Sequence, residues 1–197
     1  MRITSRVLLA ALFGGLALVV APVSLGGQPV TQPLNPVPPS FYTCKAVGGG
    51  TICQGTQTEV IAPQPDSFVC PDGGIVYDQG TVQTNAIRYY DANGDLTRRV
   101  LHQHWTDARK SNPLNGLTAP YTQSTIITDV LAVPGDFSSA TETVRGGGIV
   151  TLPGYGAVFM PAGRSVTDPD GITIFQSGPP AEVAGTAYLP LCAALGA

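Results

Sequence analysis

Residues 87–106 read Ile-Arg-Tyr-Tyr-Asp-Ala-Asn-Gly-Asp-Leu-Thr-Arg-Arg-Val-Leu-His-Gln-His-Trp-Thr and decide the fold of this chain. Two runs with β-branched and aromatic residues flank the pair Asn93-Gly94. Asn-Gly favours a type I′ turn, because both central residues of that turn need a positive φ. The stretch therefore predicts a central β-hairpin. It also contains both histidines and the only tryptophan of the chain.

Short apolar runs separated by turn residues continue on both sides of this hairpin. They recur at intervals of about 10–12 residues, which is typical of all-β folds, and no segment shows a sustained apolar repeat at helical spacing. Gly146-Gly147-Gly148 is predicted to be a turn, and residues 189–197 are predicted to form a helical turn around Cys192. The predicted strands of the main domain are residues 74–77, 82–90, 96–106, 121–133, 137–145, 149–152, 155–160 and 172–176.

Strands that follow one another through short turns form a meander, and a meander of six to eight strands closes most simply into a barrel. The sequence therefore predicts an all-β, antiparallel barrel as the fold class. The single domain covers residues 41–197, with a disulfide hairpin over 41–54 and the barrel itself over 68–195. A two-sheet sandwich is the alternative.

The composition limits the classes of partner. Of 197 residues only 12% are charged, and 10 basic residues against 13 acidic residues give a net charge of −3. Removing Arg2 and Arg6 with a leader changes the net charge to −5. Because nucleic acids and anionic membranes attract basic surfaces, this balance argues against both as partners.

The amino-terminal residues carry the features of a targeting signal. Arg2 and Arg6 precede an apolar run over residues 7–20, which is short for a membrane span and suits a signal peptide. Residues 1–26 are therefore predicted to be removed, which places a mature chain without a transmembrane span outside the cytoplasm. An uncleaved amino-terminal anchor is the alternative. Residues 27–40 contain five prolines and are predicted to be a disordered linker.

The four cysteines predict two disulfides. A hairpin with its turn at Gly48-Gly49 has a register that places Cys44 directly opposite Cys53. Directly opposed residues of antiparallel strands are about 4.5–5.5 Å apart at Cα, which a disulfide can bridge. This pairing leaves Cys70 with Cys192, a clasp that suits a barrel whose first and last strands are neighbours. A cysteine-based metal site is the alternative, and no Cys-x-x-Cys pair supports it.

Several motifs lie along residues 68–195. They are Phe68-Val69-Cys70, Arg-Tyr-Tyr-Asp-Ala-Asn-Gly-Asp-Leu-Thr-Arg at 88–98, Asn-Pro-Leu-Asn-Gly at 112–116, Gly-Gly-Gly at 146–148, Pro-Ala-Gly-Arg at 161–164, Pro-Asp-Gly at 169–171 and Leu-Cys-Ala-Ala-Leu at 191–195. Together with the signal peptide, this set resembles an uncharacterised family of small secreted β-barrel proteins from actinobacteria. The resemblance implies an antiparallel β-barrel with a clasp disulfide, and it implies no activity. The hairpin of Cys44 and Cys53 departs from the family pattern.

His102 and His104 are the first candidates for chemistry. Because side chains alternate along a strand, the pair places both imidazoles on one face, as in metal-binding cupins. A cupin has a further histidine in a later Pro-x-Gly-x-x-His turn, where this chain has Val166. The simpler interpretation places both histidines on the solvent side of a strand, and no cofactor is predicted. The metal hypothesis needs one carboxylate in addition, from Asp107, Asp129 or Glu142.

Other catalytic patterns are less specific. Residues 91–95 resemble a calcium loop, but Leu96 occupies the position that requires glycine, so a turn explains them better. Nucleophilic catalysis needs a serine or cysteine beside a base. The chain has no Gly-x-Ser-x-Gly motif, and its two histidines are the only bases near neutral pH.

Three aromatic residues, Tyr89, Tyr90 and Trp105, are candidates for lining a ligand cavity, although core packing is their more common role. Since no catalytic constellation is present, the sequence favours a secreted, non-enzymatic binding or envelope-interaction module for a small apolar ligand or an extracellular partner. The alternative is a barrel enzyme. It would be cupin-like and metal-dependent through His102 and His104, or cyclase- or isomerase-like with a shaped pocket.

Overall fold

A computed structural model describes residue 30 and residues 32–152, 156–159, 162–178 and 189–197. These residues form one antiparallel sheet, a 3-10 turn at Phe137–Ser139 and a carboxy-terminal helix, α1 (Leu189–Leu195). The predicted all-β class is confirmed. The strands are β1 (Tyr42–Val47), β2 (Gly50–Val69), β3 (Ile75–Tyr90), β4 (Leu96–Ser111), β5 (Thr118–Leu131), β6 (Ala140–Leu152), β7 (Gly156–Phe159), β8 (Ala162–Thr167) and β9 (Thr173–Ser177).

The strands follow the chain order across the sheet. Each of β1 to β5 pairs with the next strand, β6 also pairs with β7 and β8, and β9 pairs with β8. The first hairpin has the predicted register, with Cys44 opposite Cys53. Its turn residues Gly48 and Gly49 have φ values of +55° and +89°, which glycine adopts without a steric penalty.

The central hairpin is present, but the predicted type I′ turn is wrong. Of the pair Asn93-Gly94, only Gly94 has a positive φ, at +87°. Tyr90 pairs with Leu96, so five residues rather than two make the connection. The carboxylate of Asp91 accepts hydrogen bonds from the backbone N–H of Asn93 and of Asp95, at 2.8 and 3.0 Å. This Asx-type turn satisfies the backbone locally, and it explains the acidic residues without a calcium ion.

The predicted turn at residues 146–148 is also wrong, because β6 continues through it. Gly146, Gly147 and Gly148 pair with residues of β5 in unbroken register. A Cβ at Gly146 would collide with the carbonyl oxygen of Ser124. These glycines therefore allow a close approach of two strands and do not reverse the chain. Strand β8, which follows them in the sheet, was not predicted.

The sheet is open, so the predicted closed barrel is wrong. Among the described residues, no pairing joins β1 or β2 to β8 or β9. Strand β2 extends well beyond its pairing with β1, and this outer part contains Pro63 and Pro65. Proline has no N–H to donate, so it is found at sheet edges. The two-sheet sandwich stays a prediction, because a single hydrogen-bonded sheet can fold over into two layers.

Two buried clusters lie at opposite ends of the same side of the sheet, which we call the inward face. The first cluster includes Val76, Tyr121 and Leu152, and the second includes Tyr90 and Leu96. The other side of the sheet is called the outward face. Because side chains alternate along each strand, the pairing register assigns the strand residues to one face or the other.

Helix α1 closes the inward face at the first cluster. Its Leu191 and Leu195 are fully buried, and the disulfide Cys70–Cys192 ties it to the turn between β2 and β3. The clasp therefore joins the predicted helical turn around Cys192 to the turn between β2 and β3, and among the described strands it does not accompany a closed barrel. The disulfide Cys44–Cys53 is also present. No helix among the described residues is long and apolar enough to cross a membrane.

The proline-rich segment was predicted to be disordered, and this prediction is wrong for residues 32–40. Asn35 donates its backbone N–H to the carbonyl of Gly94 and accepts from the N–H of Leu96, both at 2.8 Å. The hydroxyl of Tyr90 donates to the carbonyl of Pro36 at 2.9 Å. Leu34 packs on the second cluster. The predicted signal peptide, residues 1–26, lies outside the described residues.

Candidate ligand-binding groove

Both histidines lie on the outward face of β4, as their spacing predicted. His102 stands between Asn85 of β3 and Ile126 of β5, and His104 stands opposite Ser124 of β5. Both imidazoles are exposed. His104 Nδ1 lies 2.9 Å from Ser124 Oγ, so the two side chains share a hydrogen bond.

Three shallow cavities adjoin one another along the outward face, and the two histidines join them. The first cavity is about 350 Å³ and includes Thr56, Asn85 and His102 in its lining. The second is about 470 Å³ and lies between His102, His104 and Arg145. The third is about 440 Å³ and extends from His104 past Ser124 to Gly147, Gly148, Ile149 and Ala162. Together they form one groove that crosses the strands from β2 to β8.

The proposed carboxylate ligands do not meet the histidines. Asp129 and Glu142 are opposite each other in the register and lie on the inward face. Asp129 is engaged there by Arg99, whose Nε lies 2.6 Å from its carboxylate. Asp107 is exposed in the bulge of β4, with a φ of +51°. Among the described residues, no three metal-ligating side chains come together.

The three aromatic candidates are separated by the fold. Tyr90 is buried in the second cluster, while Trp105 packs near the first cluster with its ring 6.0 Å from that of Tyr121. Tyr89 lies on the outward face, where the guanidinium of Arg98 stacks 3.9 Å above its ring. None of the three contributes to the lining of the groove cavities.

A bulge in β4 explains the position of Trp105. Between Trp105 and Ala108 the register of β4 shifts by one residue against both neighbouring strands. Trp105 and Ala108, on the two sides of the bulge, therefore both point inward although one number is odd and the other even. Simple alternation of side chains along the sequence does not predict this extra residue.

Several groove residues were not found by sequence reasoning. Asn85, Ser124 and Arg145 come from three different strands and belong to no motif. Their side chains or backbones reach the histidines only through the cross-strand register. The alternation of side chains along β3, β5 and β6 could have identified them, but only once the pairing register of these strands was known.

A second polar group lies on the inward face beside the first cluster. Lys110 forms ion pairs with Asp66 and with Asp78, the latter at 3.2 Å, and Tyr121 donates its hydroxyl proton to Asp78 at 2.8 Å. Burial raises the pKa of Tyr121 well above its ordinary value, and the hydrogen bond and negative charge of Asp78 raise it further. These groups are already paired with one another, so they stabilise this end of the sheet.

The raised pKa of Tyr121 predicts a loss of stability at alkaline pH. Unfolding exposes a tyrosine that releases its proton near pH 10, whereas Tyr121 keeps its proton in the folded protein. The folded state then holds more protons than the unfolded state. The free energy of unfolding should fall above about pH 10, by up to about 1.4 kcal/mol per pH unit.

Urea denaturation at several pH values between about 8 and 11 measures this slope. Tyr121→Phe has no ionisable group at this position, so its free energy of unfolding should fall less steeply over the same range. Equal slopes in the two proteins would contradict the assignment.

Comparison of the chain with protein-family models, with curated proteins and with solved structures gives no match. The function is therefore argued from the groove itself. Its described lining offers amide, hydroxyl and imidazole groups, apolar patches at Ile126 and Ile149, and one formal charge, that of Arg145. Such a surface can hydrogen-bond a ligand along its length.

Proposed function

We propose that this protein is an extracytoplasmic, non-enzymatic binding module whose ligand lies in the outward groove. Two disulfides support an oxidising environment, since such bonds persist outside the cytoplasm. The observation that carries the proposal is the continuity of the three cavities through His102 and His104. The sequence favours a small apolar ligand or an extracellular partner, and the cavities on the outward face support a ligand that lies on the surface of the sheet.

The ligand is elongated and lies across the strands. The groove extends over β2, β3, β4, β5, β6 and β8, which are five neighbour spacings in the sheet. With strands about 4.8 Å apart, its length is roughly 24 Å. Hydrogen-bonding side chains are spaced along a lining that is largely apolar between His102 and Ala162, so a chain of repeating units with both polar and apolar surfaces fits better than a compact apolar molecule.

The proposal predicts that ligands are recognised by the outward residues alone. Amide chemical shifts should be recorded while the protein is titrated with neutral and anionic hexasaccharides and with extended hexapeptides. At least one probe should shift the amide signals of Asn85, His102, His104 and Ser124. The variant His102→Ala/His104→Ala should lower its affinity about thirtyfold, because each half of the groove loses a polar contact worth about 1 kcal/mol.

Glu59→Gln is the matched control for this experiment. Glu59 is exposed on the inward face, outside the groove, so its substitution should leave the affinity unchanged. If no probe shifts the outward residues, or if the shifts lie only on the inward face, the proposal is wrong.

Catalysis is the second candidate, and the contact between His104 and Ser124 favours it. A neutral imidazole can accept the proton of a serine hydroxyl and so activate it as a nucleophile. Among the described residues, no carboxylate is hydrogen-bonded to His104. Hydrolysis of a p-nitrophenyl ester tests this candidate. A rate that exceeds the background and is abolished in Ser124→Ala would show an enzyme and would overturn the binding-only function. The predicted metal-dependent and isomerase-like activities remain alternatives.

A further inference from the structure

The fold separates the charges of this chain between its two faces. Lys45 and Arg98 lie in one cross-strand row of the outward face, and Arg145 and Arg164 lie opposite each other in another row. Arg109 joins them beyond the bulge of β4. All five side chains belong to exposed residues. Apart from Asp107 in the bulge, no acidic residue of the described strands points outward.

The acidic strand residues lie on the inward face, together with the remaining basic residues. Arg99 and Lys110 are engaged there in ion pairs. Arg88 is buried, with its guanidinium 5.1 Å from the ring centre of Tyr42. The register and the ion pairs place five acidic residues inward, namely Glu59, Asp66, Asp78, Asp129 and Glu142.

The centre of the outward face therefore carries two adjacent positive side chains, Arg145 and Arg164, although the whole chain has a net charge of −3. Arg145 and Arg164 are direct cross-strand neighbours, and like charges in that position repel each other. An anion bound between them removes this repulsion. His102 lies in the same cross-strand row as Arg145 and Arg164, and His104 lies in the next outward row. The two histidines therefore continue the groove lining on from the arginine pair.

We propose that the ligand of the outward groove is a linear anionic polysaccharide, which is a deeper statement of the proposed function and rests on it. Arg145 and Arg164 bind the oxyanion groups of the sugars, since guanidinium pairs with carboxylate and sulfate through two parallel hydrogen bonds. Asn85 and Ser124 hydrogen-bond sugar hydroxyls. A groove roughly 24 Å long holds a linear chain, whereas a flat lipid surface would touch only its rims.

No carboxylate lies beside the histidine pair in the groove. The side chains that face the pair are Gln83 and Asn85 from β3, Ser124 and Ile126 from β5, and Arg145 from β6. None of these is acidic, so none of them opposes the binding of an anion.

Isothermal titration tests the proposal with three probes of equal length: a hexauronate, a sulfated hexasaccharide and a neutral hexaglucan. At least one anionic probe should bind at least about tenfold more tightly than the neutral probe. Its affinity should fall severalfold when the salt concentration rises from about 50 to about 300 mM, because salt screens exposed charges.

The variant Arg145→Gln/Arg164→Gln should lower the affinity for that anionic probe at least tenfold. Arg109→Gln is the matched control, because it removes an outward charge that lies beyond the bulge of β4, away from the neighbouring Arg145 and Arg164, and its effect should be less than threefold. Both variants change exposed side chains, so their circular dichroism spectra should match that of the unchanged protein.

The outcomes of these titrations distinguish the binding function of the groove from the anionic polysaccharide as its ligand. Equal, salt-independent binding of the neutral probe would overturn the anionic assignment and leave the binding function intact. Binding to vesicles of anionic phospholipid without binding to either anionic oligosaccharide would identify a membrane as the partner and overturn the polysaccharide. Failure of all probes, together with unshifted amide signals in the groove, would overturn both proposals.

Discussion

Replacing Cys70 and Cys192 with alanine is expected to lower the free energy of unfolding by about 2–5 kcal/mol. The disulfide joins residues 122 positions apart, so its loss frees a long loop in the unfolded chain. It also releases α1, whose seven residues have too few backbone hydrogen bonds to be stable alone. Leu191 and Leu195 then lose the attachment that keeps them buried in the first cluster.

Urea denaturation measures the loss, and hydrogen exchange locates it. Protection of the amides in α1 and of Val76 should fall to the level of exposed loops. The matched control replaces Cys44 and Cys53, which are only 9 positions apart, and its entropic effect should be about half as large. Because Cys53 is buried in the second cluster, the control should lose protection at the opposite end of the sheet. If the variant without Cys44 and Cys53 lost protection in α1 while the variant without Cys70 and Cys192 kept it, this account would be contradicted.

Leu96→Ala is expected to lower the free energy of unfolding by about 2–5 kcal/mol, the range for removing a large buried side chain. Leu96 is fully buried in the second cluster with Tyr90 and Leu131. Its backbone also holds two other segments. Its N–H donates to Asn35, and its carbonyl accepts from Gly135, both at 2.8 Å. Repacking at this position should therefore loosen the amino-terminal segment as well.

The measurement is again urea denaturation, combined with hydrogen exchange at the amide of Asn35. Leu117→Ala is the control, because Leu117 is 49% exposed, and its effect should stay within about 0.5 kcal/mol. A loss of less than about 1 kcal/mol in Leu96→Ala would show that the second cluster does not stabilise the sheet. Unchanged exchange at Asn35 would show that the amino-terminal segment is held independently.

Local patterns predicted the first hairpin and the face of the histidine pair. The spacing of Cys44 and Cys53 around two glycines gave the correct register of the first hairpin, because a turn of known length leaves one pairing for the flanking residues. Alternation placed His102 and His104 on one exposed face. The same reasoning was wrong at Asn93, where the Asp91 carboxylate stabilises a longer connection. Propensity for a turn does not specify its length when a side chain can satisfy the backbone.

The candidate site was predictable only in its two histidines. Ser124 and Arg145 reach the groove through the pairing of β4 with β5 and of β5 with β6, and neither pairing follows from a motif. The carboxylates proposed as metal ligands were chosen by residue type. The register then placed Asp129 and Glu142 on the face that the histidines do not share. A shift of one residue would have exchanged the two faces.

The sequence by itself determined the all-β class, the first hairpin and the exposure of the histidine pair, because strand periodicity and turn chemistry act between neighbours in the chain. Only the tertiary structure decided that the sheet stays open, that residues 32–40 pack against the turn between β3 and β4, and that α1 is clasped to one end. It also decided where the charges go. A net charge of −3 is a sum over the chain, whereas the positive outward face arises from the register of β4, β5, β6 and β8. Charge interactions depend on distances in space, and those distances are set only when the strands pair.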